Sequence, residues 1–441
     1  MSQVNSIFVL DNGAHTIKAG FAPTDEDRDA ALARLTSQRR QKGPWNSKAN
    51  KALAQQLEDQ VDSRYECVTV PNSIARSVKD KVTYVADELA QCSDYGGSGV
   101  SYAGILTSWD CQRTIWDHVF DKMEVNPQET SLLVTEPYLN LPNVANTYDQ
   151  MIFEEWEFAS CYRCTPAALM PHSALFDEAE PLPPPARMLV VDAGYSFTHV
   201  IPVIDGQVDH AHIRRIDVGG KLLTNRLKQV LSHRQFDLSN ESVRREPDQR
   251  RLLLCELGHH ERRESIQVHA ENPIVQQYAL PDYTSGNMRG KVLTKGENAP
   301  IAADGMPAQV VTLGVERYSI PEILFGPSDI GLTQMGLAET IAYVIGQMPE
   351  DEQGLFWANI GFIGGLAYTD SLGNRLDKEL RALCPAEYEV GIYEAEDPVT
   401  AAFYAAQSLA ERPDYLAQYP LTIADYQEYG SSAWRKRFAA E

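Results

Sequence analysis

The sequence predicts a protein of two domains built on a duplicated β-hairpin, and three observations lead there. The chain has 441 residues, more than one compact core holds, so two domains or one duplicated domain are expected. Two segments of matching pattern open its two halves: Ile7 to Phe21, reading Ile-Phe-Val-Leu-Asp-Asn-Gly-Ala-His-Thr-Ile-Lys-Ala-Gly-Phe, and Met188 to Val203, reading Met-Leu-Val-Val-Asp-Ala-Gly-Tyr-Ser-Phe-Thr-His-Val-Ile-Pro-Val. In each, a short β-branched apolar run ends at Asp-x-Gly and a second apolar segment follows at once, which is a hairpin signal.

Such hairpins have a specific chemistry. Consecutive turn N–H groups converge into an anion-binding nest, and a carboxylate at the strand end can hold a hydrated Mg²⁺. One Asp-x-Gly hairpin is an ordinary turn found in many sheets. A facing pair would clamp the phosphates of a nucleotide.

Composition narrows the class. Hydrophobic residues at 43% and charged residues at 23% are ordinary globular values, and no apolar run approaches the roughly 20 residues that span a bilayer, so no membrane partner is expected. The segment Met1 to Ser6 has neither a charged nor an apolar leader region, and Ile7 to Leu10 is too short for one, so secretion is not expected. Seven cysteines without framework spacing fit a reducing compartment. Cys161 and Cys164 form a lone C-x-x-C, which supplies only half of a tetrahedral zinc site and reads as core or surface thiols. A formal net charge of -22 argues against indiscriminate coating of nucleic acid, so any DNA contact must be local.

The text around the hairpins resembles actin over nearly the whole length. Phe8 to Phe21 is similar to actin's first phosphate hairpin and Asp192 to His199 to its second. Collinear matches follow in Gly104 to Asp110, Leu133 to Pro137, Asp149 to Glu154, Asp217 to Lys221, Tyr278 to Asp282, Glu316 to Phe325, Ile363 to Gly365 and Arg435 to Phe438. Three strings, Gly194 to His199, Gly219 to Asn225 and Gly326 to Gly331, resemble the actin-related protein 6 class more than actin itself.

The resemblance implies an α/β fold of the actin/Hsp70/hexokinase type, with duplicated ribonuclease-H-like domains and a nucleotide cleft between them. Residues 1–155 and 398–441 would form the first domain, with a variant outer lobe at about 22–100, and 156–397 the second. It implies ATP or ADP with Mg²⁺ as ligand. Asp11, Asn12, Gly13, Lys18, Asp192, Gly194, Gly220, Gly364 and Gly365 would contact the nucleotide, and Asp11 and Asp192 would face the metal through water. Gln150 and His199 fall where actin organises the attacking water.

Other positions depart from the pattern. Ala14 and His15 stand where actin has Ser and Gly, which removes a phosphate hydrogen bond and places a side chain where it is expected to strain the turn. Tyr195 and Ser196 replace an acidic residue and a glycine, so the metal's outer shell loses a carboxylate. Ala30 to Leu57 carries Arg34, Arg39, Arg40, Lys42, Lys48 and Lys51 without an acidic residue; it reads either as a contact for phosphate, as in nucleosomal or linker DNA, or for an acidic protein, or else as a solvated helix. Pro181 and Pro183 to Pro185 read as a stiff surface connection. Glu241 to Ala270, rich in arginine, lacks the Lys–Glu pair that holds adenosine in the family, and Thr284 to Pro307 reads as a long exposed loop.

With the cradle eroded and the water-positioning pair kept, hydrolysis is expected to be absent or at most weak, since phosphoryl transfer needs all its parts together. The resemblance implies a nuclear protein, with some presence in the cytoplasm allowed. It would be a structural subunit of an SWR-type remodelling complex that exchanges a histone variant, partnered by a motor subunit and small subunits and forming no homopolymer. Two alternatives stand beside it: a weak ATPase acting as a nucleotide-dependent switch, and a cytoskeletal filament protein, the latter resting on fold analogy alone.

Overall fold

The computed structural model describes residues 4, 6–23, 65–77, 81–92, 99–102, 108–176, 183–234, 275–280, 290–294, 296–301, 305–369 and 371–434. The six cations from Arg34 to Lys51, the arginine-rich segment from Glu241 to Ala270 and the closing Arg435 to Phe438 lie outside them, as does Pro181 of the proline run.

The chain divides into two compact units: residues 1–72, 106–173 and 402–441, and residues 73–105 and 174–401. Where the sequence places boundaries at 155/156 and 397/398, they fall at 173/174 and 401/402. Residues 156–173 stay with the first unit because strand Ser160–Cys164 pairs in parallel with Thr130–Thr135 at the heart of the first sheet. Residues 73–105 group with the second unit, in a small sheet where Ser73–Arg76 pairs with both Thr83–Val85 and Gly99–Tyr102.

The first unit is a six-stranded mixed sheet ordered Leu421–Thr422, Ser160–Cys164, Thr130–Thr135, Ser6–Asn12, Thr16–Ala22, Val68–Pro71. Ser6–Asn12 is antiparallel to Thr16–Ala22 and parallel to Thr130–Thr135. Residues Ile7 to Asp11 are all buried, which is why this strand reads as a continuous apolar run instead of alternating. Helix Trp109–Lys122 buries Ile115, Trp116, Val119 and Phe120, one face of a 3.6-residue period, and Phe120 meets Phe8 edge-on at 5.9 Å between ring centroids. On helix Ala401–Ala410, Phe403 packs at Gly20, and the Gln407 amide donates to the carbonyls of Phe21 and Tyr65, each at 2.7 Å.

The second unit repeats the plan. Its main sheet runs Gln207–Val208, Thr198–Ile204, Arg187–Ala193, Ile360–Ile363, Ile392–Glu394, with Arg214–Ile216 also pairing Thr198–Ile204. Again an antiparallel hairpin is followed, beyond its first strand, by two parallel strands. Helix Leu337–Ile345 buries Leu337, Ala338, Ile341, Val344 and Ile345, and with Leu372–Leu383 it covers this sheet in one continuous core.

A second, three-stranded sheet corrects one expectation. Within the segment read as an exposed loop, Lys291–Leu293 pairs with Gln276–Ala279, which also pairs with Val310–Leu313. Leu293 is 3% exposed and packs with Tyr278 and Val311, so two apolar residues in a polar stretch sufficed to seat a strand.

Candidate functional site

The first hairpin's register sets Asp11 directly across from Lys18. Both are buried, at 5% and 7% exposure, and their side chains meet at 3.0 Å. Thr135 Oγ1 donates to Asp11 Oδ1 at 2.7 Å and accepts from the Asn12 amide at 2.9 Å, fastening the strand end to the neighbouring parallel strand. A carboxylate in so dry a place needs such partners.

The turn is held by polar side chains from distant parts of the unit. Asn12 Nδ2 donates to the Tyr148 hydroxyl at 2.9 Å, Trp116 Nε1 donates to Asn12 Oδ1 at 3.3 Å, and Asn72 Nδ2 donates to the Gly13 carbonyl at 3.0 Å. Gln112, 1% exposed, donates to Asn72 Oδ1 at 3.3 Å. Asn12, expected at the nucleotide, thus has its side chain engaged with the protein. His15, expected to strain the turn, does not adopt a positive φ; its carbonyl accepts from the Asn72 amide at 2.9 Å.

In the second hairpin the same register position pairs Asp192 with His199. Burial, followed by the nearby Arg215 guanidinium, lowers the imidazole's pKa to about 4, so it is neutral near pH 7. Arg215 lies 4.6 Å above the Phe197 ring and pairs with Asp217 at 3.0 Å. The turn is closed onto helix Gly220–Arg234: the Gly220 amide donates to the Gly194 carbonyl at 3.0 Å and the Lys221 amide to the Tyr195 carbonyl at 2.7 Å. Gly220, expected to offer its backbone to the nucleotide, has its N–H engaged there.

Gly364 and Gly365 follow strand Ile360–Ile363, whose Ile363 is the register partner of Asp192. Gly364 has φ +93, and a Cβ there would lie 2.6 Å from the Ala193 carbonyl oxygen and 2.9 Å from Asp192 Oδ1. Glycine is required on both counts.

Within the first unit the structure brings together Asp11, Asn12, Gly13 and Lys18; within the second it brings together Asp192, Gly194, His199, Gly220, Gly364 and Gly365. Gln150 is exposed, at the point where helix Pro142–Gln150 passes into a π-helix, Met151–Glu155. Sequence reasoning missed Thr135, Asn72, Gln112 and Tyr148. It also missed a buried group around Asp149, which accepts from Arg163 at 2.5 Å and from Trp434 Nε1 at 2.9 Å, with Glu136 3.2 Å from Arg163. Burial pushes Asp149 up to about 6 against the pull of Arg163. The one available signal was the density of polar residues in strings otherwise apolar. Cys161 and Cys164 are both buried on one strand, and burial raises both thiols.

The residues present suit a Mg²⁺-bound nucleotide. Within the first unit Asp11 offers a carboxylate for a hydrated cation and Lys18 an ammonium for phosphate, and within the second Asp192 offers a carboxylate of the same kind. The glycines leave room where backbone must come close: a Cβ on Gly13 would sit 2.6 Å from the Thr16 carbonyl oxygen and 3.2 Å from Lys18 Nζ.

The family model described as Actin matches residues 2–439. Actin-like protein ARP6 of Cryptococcus neoformans is 42% identical over 456 residues, covering 98% of this chain and 84% of its own length. Actin-related protein 6 of Drosophila melanogaster is 30% identical, covering 98% of this chain and 100% of its own, and Actin-like protein ARP6 of Yarrowia lipolytica is 34% identical, covering 84% and 92%. With the duplicated sheets, the paired hairpins and this match along almost every residue, the chain belongs to the actin family, in its actin-related protein 6 class.

Proposed function

We propose that this chain is a non-filamentous nuclear actin-related protein serving as a structural subunit of an ATP-dependent remodelling complex that exchanges a histone variant into nucleosomes. The observation that carries this reading is the closure of both hairpin ends on protein groups. Asp11 is held by Lys18 and Thr135, and the turn from Gly194 to Phe197 is bolted to the helix behind it. Elements so fastened suit a scaffold better than a moving engine.

The actin fold generally binds ATP or ADP with Mg²⁺, a ligand that supplies phosphate charge and a hydrated cation. In this chain Lys18 would neutralise phosphate, Asp11 and Asp192 would hold the hydrated cation, and Gly364 with Gly365 would let backbone approach the adenosine. Its role is to fix shape. The partners in this reading are the remodelling motor, small subunits and, through Arg34, Arg39, Arg40, Lys42, Lys48 and Lys51, nucleosomal or linker DNA.

A weak ATPase is the competing reading, and the π-helical junction at Gln150 with the neutral His199 favours it. Phosphate release from Mg²⁺-ATP by the purified chain and by Gln150→Ala decides between them. Equal, background rates are expected; a rate that the substitution abolishes overturns the structural reading.

A further inference from the structure

We infer, on the reading that the hairpins hold a nucleotide, that Asn72 is a positioning residue: held by Gln112, it aims the main-chain amide of Ala14 at phosphate. Ala14 has no side-chain donor of its own, so the first turn must meet an anion with backbone.

Asn72 is 1% exposed and ties the turn at three points. Its side-chain Nδ2 donates to the Gly13 carbonyl at 3.0 Å and to Asn12 Oδ1 at 3.5 Å, and its main-chain amide donates to the His15 carbonyl at 2.9 Å. Gln112 Nε2 donates to Asn72 Oδ1 at 3.3 Å, which settles which end of the Asn72 amide faces the turn. Gln112 is also 1% exposed and sits on helix Trp109–Lys122; its Oε1 is buried without a hydrogen bond, so the bond to Asn72 is its side chain's one polar contact among the described residues.

Peptide geometry turns these anchors into a direction. In a planar trans peptide the C=O and the following N–H point opposite ways. With the Gly13 carbonyl drawn to Asn72, the Ala14 N–H faces away from it. That N–H has no acceptor among the described residues, whereas the Gly13 N–H donates to the Asp11 carbonyl at 3.0 Å and the Asn12 N–H to Thr135 Oγ1 at 2.9 Å. Residues 12 to 16 are all partly exposed, and Lys18 Nζ lies 3.2 Å from where a Cβ on Gly13 would stand. An unused amide beside an ammonium, in a turn open to solvent, suits an anionic oxygen. A nucleotide phosphate brings that oxygen, and the hydrated cation that travels with it answers the charge of Asp11.

Selective ¹⁵N-alanine labelling of the full chain tests this, with the Ala14 resonance assigned by its absence in Ala14→Gly. Mg²⁺-ATP is expected to shift that resonance in the wild type. Equilibrium dialysis is expected to show ATP bound about tenfold more weakly by Asn72→Leu, with adenosine, which has no phosphate to meet the turn, bound as before. Gln112→Leu keeps Asn72 but frees its amide to turn over, and is expected to weaken ATP about threefold, a reading that stands even where Asn72→Leu does not fold. Unchanged ATP affinity in the folded variants, equal losses for ATP and adenosine, or an Ala14 resonance unmoved by bound ATP overturns the role of Asn72 alone. Failure of the wild type to bind ATP overturns that role together with the nucleotide reading.

Discussion

The two hairpins occupy the same place in their sheets, yet they solve the same electrostatic problem differently. Across from Asp11 stands Lys18, an ammonium 3.0 Å away, and both side chains are under a tenth exposed. Across from Asp192 stands His199, an imidazole kept neutral by burial and by Arg215. The first hairpin therefore depends on a buried ion pair, whereas the second depends on packing at Gly364 and on a turn tied to a helix. The two hairpins share a backbone register and differ in where the charge lies.

The sharpest way to break this comparison is to remove the facing group from each. Lys18→Met leaves Asp11 buried without its cation and is expected to destabilise the first unit by about 4 kcal/mol. His199→Gln exchanges one neutral group for another and is expected to change the second by less than about 1 kcal/mol at pH 7. Amide hydrogen exchange, read separately on Ser6–Asn12 and Arg187–Ala193, measures both; similar losses would contradict the asymmetry.

The turn glycines give a smaller contrast. A Cβ on Gly13 would meet the Thr16 carbonyl oxygen at 2.6 Å, while one on Gly194 would meet that of Phe197 at 3.4 Å, an ordinary contact. Gly13→Ala is expected to cost about 2 kcal/mol. Gly194→Ala is expected to stay within about 0.5 kcal/mol. Thermal melts of the two variants check this pair.

Acid should separate the units further. The folded pKa of His199, about 4, lies below its unfolded value near 6.5, so the unfolded chain binds more protons in between and the second unit loses stability as pH falls through that window. Asp149 is the opposite case: raised to about 6 from 3.8, it binds its proton more readily when folded, and the first unit gains stability as pH falls from 6 toward 4. Each effect is expected to reach about 1 to 2 kcal/mol at pH 5, measured as opposite changes in exchange protection and abolished by His199→Gln and Asp149→Asn respectively.

What could be read from the sequence was what is local. The Asp-x-Gly hairpins lie within a few residues of contiguous pattern, so period and turn chemistry disclosed them, whereas Lys18 and Gly364 were picked out by the resemblance to actin. Thr135, which holds Asp11, is 124 residues away from it, and Asn72 and Tyr148 reach the first turn from remote strings whose residues look unremarkable alone. The boundary at Ser173 was hidden for the same reason, since nothing near Ser160–Cys164 announces its parallel neighbour. The strand Lys291–Leu293 was too short for periodicity to register, and only its pairing with Gln276–Ala279 reveals it.

The central claim is that this chain works as a fixed structural subunit whose nucleotide, if held, supports shape. Native mass spectrometry of assemblies isolated through this chain from nuclear extract, with bound nucleotide released and identified, tests it most directly. The account predicts a defined stoichiometry with a remodelling motor and small subunits, with ATP or ADP retained through isolation. Recovery of the chain as a free monomer or as a homopolymer would contradict it.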